Sequence, residues 1–329
     1  MKKRVFLLIM LALFLLFSCG QIEFPENGQN GNGEDCTVKW AGIRFSEYGI
    51  VRTFGGWKKY PSPAKTASLI EKMQGYYNNS TGAIILIVGV MHGDDGCKLS
   101  FPTSSSYSDS HVEDSDEDEY AGLLNELEKR GASVWLQVEP GDANLVKLAK
   151  EVMNHYKGYT CVKGFGIDVE WYCPAGTHGW GTKLDSSLAN EVLTAVQNIK
   201  SEYTVFLKHW DYRWLPSGKE GFIYVNDSQN FLDLDEDMDD DEIEALVNTI
   251  SISDANDAAQ TMQNDFADWA SHFAPYPVMF QIGYQKDKPI WKKLFSNPAR
   301  ELGEYLVSGC KSGNDIGIIW VDFTLSEVL

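Results

Sequence analysis

Positive charge is scarce in this chain. Its 329 residues carry 28 Lys and Arg against 47 Asp and Glu, a formal charge of -19, and the first 18 residues supply three of those cations and no acid, so residues 19–329 stand at -22. A surface that negative repels phosphate backbones and argues against nucleic acid as a partner. No Cys-x-x-Cys pair occurs, which argues against a structural zinc site. No serine sits in a Gly-x-Ser-x-Gly elbow, so an α/β-hydrolase nucleophile is not supported. A Gly-rich phosphate loop after a strand is also missing, which weakens a doubly wound nucleotide-binding sheet as the fold. Histidine is rare, six in all, with no pair at helical ligand spacing. No cofactor and no metal are expected. Beyond the first 18 residues no apolar run is long enough to cross a bilayer.

The N-terminus reads as a targeting segment. Lys2-Lys3-Arg4 is a positive start, and Val5 to Phe17 is an apolar run too short for a spanning helix. It ends in Leu16-Phe17-Ser18-Cys19-Gly20, which resembles a bacterial lipobox with Cys19 as the acylated residue. Residues 1–18 are therefore expected to be a lipoprotein signal peptide, and residues 19–35, rich in Gly, Asn, Gln and Glu, a flexible tether. These readings place the protein outside the cytoplasm, lipid-anchored to the bacterial cell envelope, as a monomer. Five cysteines remain, and an oxidising compartment permits disulfides. The expected pairs are Cys36 with Cys310 and Cys97 with Cys173, leaving Cys161 free.

Residues 36–329 alternate β-rich and helical runs. Eight strands are expected, at 38–45, 83–91, 132–139, 162–171, 203–208, 221–225, 277–283 and 316–323. Ser62-Pro63, Asp142, Asp185 and Asn297-Pro298 carry helix-opening signals, and an extra helix is expected around 255–272. Eight strand–helix units imply one α/β domain, a closed (β/α)₈ TIM barrel. Within Ser133–Glu139 the apolar residues Val134, Leu136 and Val138 would face the helices, and Gln137 and Glu139 the interior. In Gly164–Trp171 the split repeats, with Gly164, Gly166, Asp168 and Glu170 inward.

Barrel enzymes work at the C-terminal ends of their strands. The polar residues there are Arg44, His92, Gln137, Glu139, Asp168, Glu170, Lys208, Asn226, Asp227, Gln281 and Asp322. Beside them lie Trp171, Tyr172, Trp210, Tyr212, Trp214, Tyr284 and Trp320. Acids, amides and aromatic faces together suit a carbohydrate, whose rings stack on indoles while its hydroxyls take hydrogen bonds. Asp168-Val169-Glu170 is the leading catalytic candidate: two carboxyls entering one half-dry cavity push one pKa up, leaving an acid beside an ionised partner. Glycoside hydrolysis needs that pair. Glu170 is assigned as general acid and Asp168 as its electrostatic partner, with Glu139, Asp227 or Asp322 as the other candidates for the second carboxylate. Arg44 and Asp322, on neighbouring strands, are expected to form a structural ion pair.

Phe165-Gly166-Ile167-Asp168-Val169-Glu170-Trp171-Tyr172 resembles the fourth-strand motif DxxDxDxE of family 18 chitinases. Aligned on the last acid, Glu170 matches the proton donor and Asp168 the aspartate two before it, while Gly166 and Lys163 replace the two earlier aspartates. Gly317–Asp322 resembles that family's last strand, whose tryptophan floors the sugar site; the resemblance implies that role for Trp320. The Asp-x-Glu strand is also similar to that of family 25 lysozymes, and the whole chain resembles uncharacterised bacterial envelope proteins with a glycosidase-type barrel. What these resemblances imply is a glycosidase-like barrel, without N-acetyl specificity. Two other functions stay open: a non-catalytic carbohydrate-binding lipoprotein, and a metal-dependent hydrolase centred on His92, Asp94 and Asp95.

Overall fold

The computed structural model describes residues 34–54, 61–174 and 181–329. The proposed signal peptide, Cys19 and nearly all of the tether lie outside the described residues. Among the described residues there are ten strands: β1 Thr37–Phe45, β2 Thr81–His92, β3 Gly96–Leu99, β4 Val112–Glu113, β5 Ser133–Val138, β6 Val162–Asp168, β7 Thr204–Lys208, β8 Phe222–Asn226, β9 Val278–Ile282 and β10 Asp315–Trp320. Eight of them pair in parallel in the order β1-β2-β5-β6-β7-β8-β9-β10, and β10 pairs back onto β1. The sheet therefore closes, and all eight expected strands are its staves. The short strand β3 pairs antiparallel with β2, and β4 pairs parallel with β3, an arm that the periodicity did not announce.

Helices α1 Glu47–Phe54, α2 Pro63–Gln74, α3 Ala121–Lys129, α4 Leu145–Tyr156, α5 Ser186–Gln197, α6 Asp240–Thr249, α7 Ile252–Phe273, α8 Lys288–Leu294, α9 Pro298–Gly309 and α10 Leu325–Val328 complete the set. Ser62 and Asp185 accept backbone N–H groups at the starts of α2 and α5, as an N-cap oxygen should. Asp142 does not open α4; Asn144 does, its side chain accepting the Lys147 N–H at 3.0 Å. The connection between β8 and β9 holds two helices, α6 and the long α7.

The strands sort their side chains by parity. Val134, Leu136, Val138, Phe165 and Ile167 pack outward against the helices in the large core. A second, separate cluster of Ala83, Ile85, Trp135, Phe206, Ile223, Val225, Met279 and Ile319 fills the barrel interior, with Trp40 packed against it. Trp40 meets Trp135 edge to face at 5.3 Å, and the Trp135 indole N–H donates to Thr204 at 2.9 Å. Glycines make that filling possible. A Cβ at Gly166 would overlap the Phe206 ring, and one at Gly164 the Thr204 carbonyl. The middle of the barrel is thus filled by apolar side chains, below a polar mouth.

Three expectations are corrected here. β6 ends at Asp168, and Val169–Trp171 form a 3₁₀ turn, so Glu170 and Trp171 leave the strand. Trp320 is fully buried on the outer face of β10, against Trp291 at 5.5 Å, with its N–H donated to Thr324 at 2.9 Å. Its parity places it away from the interior-facing Ile319, so it does not floor the site. Finally, all five described cysteines are free thiols. Cys36 and Cys310 do meet, and their hydrogen bond is the main reason the Cys36 pKa falls to about 5. Neither expected disulfide is formed.

Candidate active site at the barrel mouth

A cavity of about 850 Å³ opens above the filled interior. Of the sequence-predicted residues it gathers Arg44, Glu139, Asp168, Glu170, Trp171, Lys208, Asp227 and Tyr284. They come from the ends of β1, β5, β6, β7, β8 and β9 or from the turns just beyond, so barrel closure alone brings them together. Lys208 is the hub. Its ammonium lies 2.8 Å from Asp168, 2.6 Å from Asp227 and 3.9 Å from Glu170. Asp168 also accepts from the Gln137 amide at 3.0 Å. Lys208, Asp168 and Asp227 are each no more than 3% exposed.

Burial dominates the electrostatics. It pushes the Asp168 carboxyl above the usual carboxylate range, and the Lys208 ammonium opposes it. Burial also works against the charge on Lys208, but Asp168 and Asp227 outweigh it and hold the ammonium protonated. Glu170, one turn further out, is pushed up to about 7: burial raises it, Lys208 pulls it down, and Asp227 and Glu139 raise it again. A carboxyl with that value is half protonated at neutral pH.

Arg44 and Asp322 form the expected ion pair. The guanidinium donates to one Asp322 oxygen at 2.8 and 3.0 Å, and the Ser46 N–H donates to the other at 2.6 Å. Asp322 is fully buried and does not line the cavity. Burial opposes the charge on Arg44, but Asp322 prevails and its pKa stays well above the ordinary value. Glu139 accepts from the Tyr48 hydroxyl at 2.7 Å and from the Met91 N–H at 2.9 Å.

Other predicted residues sit elsewhere. Gln137 and Gln281 are fully buried, Gln137 supporting Asp168 and Gln281 accepting from Tyr284 at 3.1 Å. Asn226 is fully buried, donating to Asp265 at 3.0 Å and accepting the Ser228 N–H at 2.7 Å. His92 leaves the mouth on the extended end of β2 and pairs with Glu113 at 3.2 Å. Tyr172 turns to a separate hollow lined by Asp109, Asp142 and Lys147. Trp210 is 40% exposed beside His209 and lies outside the cavity. Several lining residues were not anticipated: Tyr48 and Phe323 near the β1 and β10 ends, Gln285 and Lys286 beyond β9, and Gln229 after β8. The acidic run at 233–244, expected at or near the mouth from its place after the sixth strand, supplies Met238 and Asp239–Asp241.

Among the described residues, the one set with ligand atoms close enough to hold a metal ion is Asp95, His111 and Asp142, within 4.8 Å of one another. It lies on the loops around the β3–β4 arm and outside the mouth, and it shares only Asp95 with the metal grouping read from sequence.

No known family profile matches the chain, and no curated protein matches it. Among solved structures it is similar to a hyperthermophilic endo-β-1,4-glucanase in complex with substrate, at 12% identity over 84% of this chain and 87% of that one, with a TM-score of 0.44. It is also similar to the endoglucanase Cel5A of the hyperthermophilic Thermotoga maritima, at 11% identity over 84% and 88%, TM-score 0.47. A third, the 7,8-dihydropteroate synthase of Vibrio fischeri, aligns at 9% identity over 90% and 89%, TM-score 0.33.

Proposed function

We propose that the protein is a glycoside hydrolase acting on an oligo- or polysaccharide, with Glu170 as general acid. The observation that carries this reading is the Glu170 carboxyl itself. It lines an open cavity, burial lifts its pKa to about 7, and two carboxylates lie on the ammonium beside it. A general acid works best with a pKa near the operating pH, and it must protonate the leaving oxygen while negative charge supports the developing oxocarbenium ion. Lys208 bridges Asp168 and Asp227. Because Glu170 and Asp227 approach the same nitrogen, at 3.9 and 2.6 Å, their spacing falls at or below the roughly 6.5 Å that divides retaining from inverting glycosidases. Trp171, 40% exposed at the rim, offers a face for a sugar ring. The lipobox-like run ending at Cys19 supports an envelope-anchored location.

The test is release of new reducing ends from a glycan panel. Wild type should produce them, with a rate that falls as pH rises through about 7, where the acid loses its proton. Glu170→Gln should lose roughly 10²–10⁴-fold in turnover, the usual contribution of a general acid. Equal turnover in the variant would refute the assignment. A second reading, a carbohydrate-binding barrel without turnover, draws on Gly166: the Phe206 ring fills the space where the chitinase motif carries another aspartate. Binding without new reducing ends would favour it.

A further inference from the structure

Beside the β3–β4 arm, three half-buried side chains meet, and none of them lines the cavity at the mouth. Asp95 sits in the turn between β2 and β3, His111 just before β4, and Asp142 in the connection from β5 to α4. Their ligand atoms all lie within 4.8 Å of one another, with His111 Nδ1 3.7 Å from the Asp95 carboxylate and 3.9 Å from that of Asp142. Both of these separations exceed a hydrogen bond. They come close to the spacing of two ligands on one ion, since bonds of about 2.0–2.2 Å at a tetrahedral angle put the ligand atoms roughly 3.4 Å apart.

The backbone itself holds the three residues together. The Asp142 N–H donates to the Asp95 carbonyl at 2.7 Å, and the Cys97 N–H to the His111 carbonyl at 2.8 Å. Asp109 ties the His111 segment to the β5–α4 connection, accepting from the His111 N–H at 3.1 Å and from the Asn144 N–H at 2.9 Å. Gly141 permits the approach: its φ is 57°, and a Cβ there would overlap the Asp95 carbonyl. Ligands preorganised in this way lose little freedom on binding. An imidazole with two carboxylates suits a borderline divalent ion, whereas calcium takes oxygen alone. We propose that Asp95, His111 and Asp142 form a divalent-metal site of the zinc class, three protein ligands plus water, that clamps the β3–β4 arm to the loop after β5. That loop also backs the mouth: the Gly141 N–H donates to the Trp171 carbonyl and its own carbonyl accepts the Cys173 N–H, both at 2.9 Å, on either side of the turn that carries Glu170. No local spacing announces the site, because its ligands come from three separate segments. It stands independently of the glycosidase reading.

The test is isothermal titration of Zn²⁺ into the full, untagged chain after treatment with a chelator. One ion should bind per chain, more tightly than Ca²⁺ or Mg²⁺, and the melting temperature should rise with free Zn²⁺. His111→Asn and, separately, Asp95→Asn should each weaken binding by at least about tenfold, with a metal-free melting temperature near that of wild type. Either variant decides alone if the other does not fold. His92→Ala and Cys36→Ser should leave binding unchanged, since neither residue belongs to the set. The proposal is overturned by no binding in wild type, by binding unchanged in His111→Asn or Asp95→Asn, or by tighter binding of Ca²⁺. Loss of binding in His92→Ala or Cys36→Ser overturns it equally.

Discussion

Replacing Lys208 with methionine removes the one ammonium that Asp168 and Asp227 share. Both acids are nearly fully buried, and their oxygens lie 2.8 and 2.6 Å from its nitrogen. Removing one partner of a buried ion pair leaves uncompensated charge and costs about 3–5 kcal/mol. The cost should depend on pH in a definite direction. Without the ammonium, nothing opposes the burial that already raises the Asp168 carboxyl above its ordinary range, so its folded-state pKa rises further. Stability is lost as pH rises through that raised folded pKa, so the deficit should widen as pH rises from the acid side toward neutrality. Urea unfolding of wild type and variant at several pH values measures this. Adding Asp168→Asn and Asp227→Asn to the variant should recover most of the loss, because no buried charge then remains. A deficit under about 1 kcal/mol, or one flat across pH, would refute the claim that Lys208 neutralises the floor of the site.

Other perturbations separate packing from chemistry. Glu170→Gln should gain on wild type by about 2.5 kcal/mol as pH rises from 5 to 8, since wild type bears the cost of ionising a carboxyl shifted from 4.5 to about 7; parallel stability curves would contradict it. Gly166→Ala should destabilise by roughly 1–3 kcal/mol or more through overlap with Phe206, and Phe206→Leu in the same chain should restore part of that loss, both read by thermal unfolding. Trp320→Ala should cost about 3–5 kcal/mol in stability, whereas Trp171→Ala should leave the melting temperature nearly unchanged and raise KM; the reverse pattern would restore Trp320 to the site.

The barrel was legible because its physics is periodic. Strict alternation in 133–139 and 162–168 separates a helix-facing set from an interior set, and the coordinates keep that division. Strand ends were legible too, since closure brings Arg44, Glu139, Asp168, Lys208 and Asp227 to one mouth without further information. Periodicity failed where strands stop. Glu170 was assigned inward by extending β6 through it, yet the 3₁₀ turn at 169–171 delivers it to the cavity. The chitinase resemblance misled at Trp320, whose parity faces the helices, and the strand end was set too early at His92, which β2 carries past the rim to Glu113. The acidic run at 233–244 was legible at or near the mouth from its place after the sixth strand, and Asp239–Asp241 line the cavity. Compartment chemistry misled at the cysteines: the bottom-of-barrel geometry brings Cys36 to Cys310 as expected, but as hydrogen-bonded thiols.

The central claim is that burial at the barrel mouth keeps Glu170 protonatable at neutral pH. A ¹³C-detected titration of the glutamate side chains, with the Glu170 resonance assigned by its loss in Glu170→Gln, measures this directly. The account predicts a midpoint near 7 for that carbon. A midpoint at the ordinary glutamate value of about 4.3 would contradict it.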